Sequence, residues 1–162
     1  MLALRLVYVL ALAVWLGGMA ILGAVVAPTI FQTLQTADPE GGRALAGLAF
    51  GTMLARFHYV AYGCGILLLV MLVIMALLGP RPKAFAVRCA LAFAMLAVSA
   101  YSGVVVLREI DAIQQEVGAL PSRLPAGDPR RIRFDELHQL ATRLMMVNLV
   151  GALALVYWEA AE

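Results

Sequence analysis

Four long apolar runs alternate with shorter polar stretches along the chain, at about residues 1–27, 57–78, 84–107 and 137–158. A helix of about 20 mostly apolar residues crosses a hydrocarbon core of about 30 Å, so each run predicts a membrane-spanning helix. The first run carries a single charge, Arg5, and is far longer than the apolar core of a secretory leader. Its Val25-Val26-Ala27 end is followed by Pro28, which predicts a retained helix rather than a cleaved signal.

The polar stretches hold the helix punctuation. Proline at a first helical position behind an aspartate cap preorganises a start without wasting a hydrogen bond, and Asp38-Pro39-Glu40 and Asp128-Pro129 both have that form. The second helix is therefore expected from Pro39, with a break at Gly41-Gly42 or Gly51, and the fourth from near Pro129. The third is expected to overrun its apolar span, because Ile110, Ile113 and Val117 keep a helical spacing until Gly118 stops it.

These overhangs fall on one side. Residues 28–56 and 108–136 predict a helical cap on one membrane face, opposite a tight Gly79-Pro80-Arg81-Pro82-Lys83 turn and both termini. The expected fold is all-α: a single domain over residues 1–162, an integral membrane antiparallel four-helix bundle with helical extensions forming the cap. Each half has a second helix that starts at Asp-Pro, but beyond that start the halves align poorly. Of the 12 Lys and Arg, the turn side holds Arg5, Arg81, Lys83 and Arg88, and the other eight lie on the cap side. The excess of basic residues on the cap side points that side to the cytoplasm of a bacterial inner membrane.

Composition narrows the function. Hydrophobic residues make up 64% and charged residues 14% of the chain, and its mean hydropathy is +0.93. That places the protein in the lipid bilayer. A net charge of +2 without a basic stripe argues against a nucleic-acid partner. Phosphate-loop, nucleophile-elbow and zincin strings are absent, and two Cys with two His make no zinc module.

Ionisable groups at membrane depth are costly, so each one raises a functional question. His58 opens the second span and His138 the fourth, and these two helices run in the same direction. Both imidazoles are thus expected at similar depth under the cap, where a pair can hold haem iron or a soft metal. Met145 is the third candidate ligand, on a stripe with His138 and Thr142, and Met thioethers suit Cu(I). Tyr62, Asn148 and Arg56 are the candidate supporting residues of a cofactor site, and haem b or copper the cofactors considered. The plainer reading sets both His at headgroup level, with Met filling gaps and the arginines of the span ends, Arg56 and Arg143, reaching lipid phosphates. Asp135 and Glu136 are available to pair with those arginines. Tyr101, Ser99 and Ser102 suit interhelical hydrogen bonds, and Gly17, Gly18, Gly47, Gly51 and Gly103 suit close helix packing. Cys64 and Cys89 differ in depth by roughly 13 Å, too far for a disulfide, and are expected as free thiols.

The segments VWLGGMAILGAVVAPTIFQTL, AGLAFGTMLARF and FDELHQLATRLMMVNLVGALALVY resemble the bacterial four-helix membrane domain of unknown function grouped with the transmembrane protein 205 family. The most specific pieces are the aromatic-Gly-Gly and Val-Ala-Pro-x-x-Phe elements of the first helix and Phe134, Leu137 and His138 at the opening of the fourth. The resemblance implies a fold rather than an activity; its eukaryotic members are associated with platinum-drug resistance. The first helix is also similar to CopD-type copper-resistance domains and to the haem-binding membrane protoporphyrinogen oxidase. Their first-helix histidine is replaced here by the Leu6-Val7-Tyr8 region, so their ligand does not carry over.

The function expected from these observations is that of a non-enzymatic inner-membrane protein. It binds haem or a soft metal, or passes a small solute, at a site between the second and fourth helices under the cap. The alternative is a ligand-free accessory or assembly subunit, docking as a homo-oligomer or within a larger membrane complex. A haem-dependent oxidoreductase is a third reading, for which no residue supplies the open site. The deep parts of all four spans are read as apolar.

Overall fold

In a computed structural model, which describes residues 2–118 and 121–161, the chain forms four long helices. They are α1 (Leu2–Ala37), α2 (Gly42–Leu78), α3 (Phe85–Val117) and α4 (Pro129–Ala160). The expected first residue of α1, Met1, lies outside the described residues. Each helix has at least 32 residues, or about 48 Å at 1.5 Å per residue, and so extends well beyond a hydrocarbon core of about 30 Å. All four are long and apolar enough to cross a membrane, and the chain is an all-α, multi-pass membrane protein.

The punctuation holds in part. Asp128 accepts a hydrogen bond from the Arg130 amide at 2.9 Å and starts α4 at Pro129, as expected. α3 runs to Val117 and is closed by Gly118 in the left-handed conformation, φ +61°. α2 instead begins at Gly42 rather than Pro39, because Asp38 Oδ1 takes the amides of Glu40 and Gly41 at 3.1 and 2.9 Å and closes a turn. It then passes through Gly51 without a break. α1 does not end before Pro28 but continues to Ala37. A π-helical turn at Leu22–Val26 ends with one residue, Ala27, before the proline and shifts the hydrogen-bond register where the proline N–H is missing.

The helices pack in a ring, α1 on α2, α2 on α3, α3 on α4 and α4 on α1, so α1/α3 and α2/α4 are the diagonals. The seams are antiparallel. Gly18 meets Phe57 and Gly65 meets Trp15; Gly103 meets His58; Gly151 meets Met95; and Gly23 meets Met145. One core runs through the bundle around Tyr8, Leu12, Trp15, Leu68, Leu72, Met95 and Leu155. A second core, Val106, Ile110, Ile113 and Leu137, joins α3 to α4 in the cap. On the other half of the cap, Gly42 lies against the Leu34 backbone and Phe31 meets Phe50 edge-on at 6.4 Å.

The two hairpins repeat one another in a register of 80 residues. The π-turn Leu22–Val26 recurs at Ser102–Val106, with Gly23 and Gly103 in second place and Val25-Val26 and Val105-Val106 at the end. Buried Tyr8, Leu12, Trp15 and Met19 match buried Arg88, Ala92, Met95 and Ser99, and Leu68, Leu72 and Met75 match Asn148, Ala152 and Leu155. In the same register His58 matches His138.

Candidate ligand site under the cap

His58 lies in the seam of α2 and α3, at the start of the apolar run of α2. Its Nδ1 is 2.8 Å from the Leu54 carbonyl. A carbonyl accepts only, so Nδ1 carries the proton and Nε2 keeps its lone pair. The ring is half-buried and meets Tyr62 edge-on at 6.1 Å. It lies against Gly103, where a Cβ would collide with the Tyr62 hydroxyl and the His58 ring. The α3 π-turn therefore brings bare backbone to the imidazole, an arrangement that recurs at functional sites.

A polar layer continues inward. Tyr62 donates to the Ser99 carbonyl at 3.4 Å, and Asn148 Nδ2 donates to Ser99 Oγ at 2.8 Å. Ser99 and Asn148 are buried, and Asn148 Oδ1 has no hydrogen-bond partner among the described residues. At the outer end of the seam, Arg108 is exposed and near enough to Tyr62 to act on it electrostatically. In the sequence Arg108 stands out only as a cap charge. Yet it closes the apolar run of α3 just as His58 opens that of α2, and antiparallel packing brings such ends together.

The other candidates are distributed around the ring. Met145 reaches Gly23 in the seam of α4 and α1. His138 is on α4, diagonal to α2; its ring is exposed and stacks on Phe134 at 5.5 Å. Arg56 is exposed on α2. Asp135 and Glu136 face Arg131 and Arg133 of their own helix, at 4.0 and 3.5 Å. Among the described residues no group of three His, Cys, Asp or Glu converges. The structure thus brings together His58, Tyr62 and, through Ser99, Asn148, and places Met145, His138 and Arg56 apart from them. Cys64 and Cys89 are free thiols. Gly17, Gly47 and Gly51 face open space, so of the expected packing glycines only Gly18 and Gly103 take that role.

A cluster of charges closes the opposite end of the bundle, where the sequence places basic residues but does not show that one is buried. Arg88 is fully buried; its Nη2 donates to Glu159 Oε2, and its guanidinium lies 4.9 Å from the Tyr8 ring centroid. Arg5 Nε donates to the other carboxylate oxygen at 2.9 Å, and Lys83 Nζ donates to the Ala161 carbonyl at 2.8 Å. Three cations from α1, α3 and the connecting turn thus hold the last turn of α4.

With that geometry in view, comparison with known proteins places the chain. Residues 10–119 match a family model described as "Domain of unknown function (DUF4149)", and the chain belongs to that family. No curated protein and no solved structure matches it.

Proposed function

We propose that this is a non-enzymatic membrane protein that holds a haem or a soft metal ion at the cap end of the seam between α2 and α3, with His58 Nε2 as the protein's donor atom. The observation that carries the proposal is the 2.8 Å contact of His58 Nδ1 with the Leu54 carbonyl, which in the neutral ring puts the proton on Nδ1 and leaves Nε2 as the ligand atom. The residues around it fit such a group. Tyr62 braces the ring, Gly103 removes a side chain from its path, and Arg108 supplies a cation at the cap end for a carboxylate of a macrocycle. Such a group, when bound, supplies electron-transfer or metal-storage chemistry; this chain supplies the ligand atom and an apolar setting. The likeness to the transmembrane protein 205 family agrees with the bundle but names no ligand. The excess of basic residues on the cap side favours a bacterial inner membrane with the cap in the cytoplasm.

The test is an absorption spectrum with elemental analysis on protein purified in mild detergent, before and after adding haem or Cu(I). A Soret band, or copper bound in stoichiometric amount, that is lost in His58→Ala and kept in His138→Ala supports the reading. A well-folded protein that takes up neither group overturns it and leaves the accessory-subunit alternative.

A further inference from the structure

The outer face of α4 carries a second polar feature, independent of the His58 seam. A shallow, open groove on the face of this one helix is lined by Asp135, His138, Gln139, Thr142 and Arg143, all exposed. Arg143 lies six residues past Leu137, where the apolar run of α4 begins, or about 9 Å deeper along the helix. Among the described residues Arg143 has no ion-pair partner. Neighbouring Met145 and Asn148 point inward, so Arg143 points outward on a helix that crosses the membrane. An exposed guanidinium at that depth needs an anion.

Two more of the lining side chains can donate to an anion, while Asp135 adds a carboxylate of its own. Thr142 spends its proton on the His138 carbonyl at 3.0 Å, so the donors facing the groove are Arg143, the imidazole and the Gln139 amide. Phe134 fixes the imidazole by stacking, and the carboxylate of Asp135 faces Arg131 at 4.0 Å. Towards the opposite end of the bundle, Met146, Val150, Leu153 and Tyr157 continue the same outward stripe, each about half or more exposed. A charged head with an apolar track beneath it has the outline of a lipid.

We propose that this face of α4 binds the phosphate head group of an anionic phospholipid, with Arg143 as its main contact and an acyl chain along Met146, Val150 and Leu153. A second copy of the chain is disfavoured, because a two-fold contact along this stripe sets Arg143 against Arg143. Native mass spectrometry of the full chain in mild detergent, with phosphatidylglycerol as the probe, tests the proposal. Arg143→Gln is expected to retain about fivefold less of that lipid than the native protein. Arg143→Lys keeps the charge and most of the binding, and Arg43→Gln, in the exposed cap, changes nothing. Equal retention by Arg143→Gln overturns the proposal. So does displacement of the lipid by equimolar inorganic phosphate, or a dimer that Arg143→Gln dissociates while lipid retention is unchanged. His58 takes no part, so a failure here leaves the His58 reading standing, and the reverse also holds.

Discussion

Arg88 and Glu159 form an ion pair inside the bundle, at the end opposite the cap: the guanidinium is wholly shielded and rests over the Tyr8 ring. Breaking a buried pair from one side leaves a charge in a place that cannot solvate it, at a cost of about 3–5 kcal/mol. Glu159→Gln is therefore expected to lower thermal stability in detergent by that order. Arg88→Met is expected to cost less, because Arg5 still answers Glu159 at 2.9 Å. The Arg88→Met/Glu159→Met double variant should be closer to the native protein than the sum of the single changes. Strict additivity in that double-mutant cycle would show that the two charges do not couple.

Glycines that look alike in the sequence should separate on substitution. At Gly103 a methyl group runs into Tyr62 and His58, so Gly103→Ala is expected to destabilise the bundle by about 1–3 kcal/mol and to weaken haem or metal uptake. Gly17 has open space where a Cβ would stand, and Gly17→Ala in a helix interior should stabilise by about 0.5–1 kcal/mol. Thermal melts of the two variants check both signs.

The start of α4 should depend on pH in acid. Hydrogen bonds from the Arg130 side chain and amide hold the Asp128 carboxyl below the ordinary aspartate range. A group with a depressed folded-state pKa contributes stability that is complete above its unfolded value and lost as pH falls through the folded one. Hydrogen-exchange protection of the first amides of α4, taken relative to the intrinsic rate at each pH, should thus be constant from neutral pH down to the ordinary aspartate range and fall below it. Asp128→Asn keeps an acceptor at the cap and should abolish the pH dependence. Persistence of the acid transition in that variant would place its origin elsewhere.

How much of this was legible in the sequence follows from where each signal resides. The spans, the Asp128 start, the Gly118 stop and the cap are local patterns of hydropathy and capping, and they were readable. The passage of α1 through Pro28 was not, since a proline after an apolar run reads as an end unless the π-turn ahead of it is known. Arg88 was read as a charge of the turn side because depth along a helix does not say which face a residue occupies. Its burial depends on Glu159, 71 positions away. The His58 seam was half legible: the histidine stood out, but Gly103, which it packs against, comes from a helix whose rotation only packing reveals. The repeat escaped because the two Asp-Pro starts are 90 residues apart, whereas the helices themselves repeat at 80. Aligning on the starts puts every other match out of register.

That repeat leads to a last prediction. Each hairpin contains one π-turn, one inward stripe of large buried residues and one helix start, and the two are joined only by the Gly79–Lys83 turn. The seams between hairpins are α2 on α3 and α4 on α1, and they are held by side-chain contacts such as Gly103 with His58, Gly23 with Met145 and Arg5 with Glu159. Helices in lipid associate through such packing and polar contacts without needing a covalent link. Residues 1–81 and 82–162, co-expressed as separate chains with a tag on one, should therefore copurify as a stable complex. Adding Glu159→Gln to the second piece should lower the yield, because it removes both the Arg5 contact across the cut and the partner of Arg88. Recovery of the tagged half alone would show that the turn, rather than the seams, holds the hairpins together.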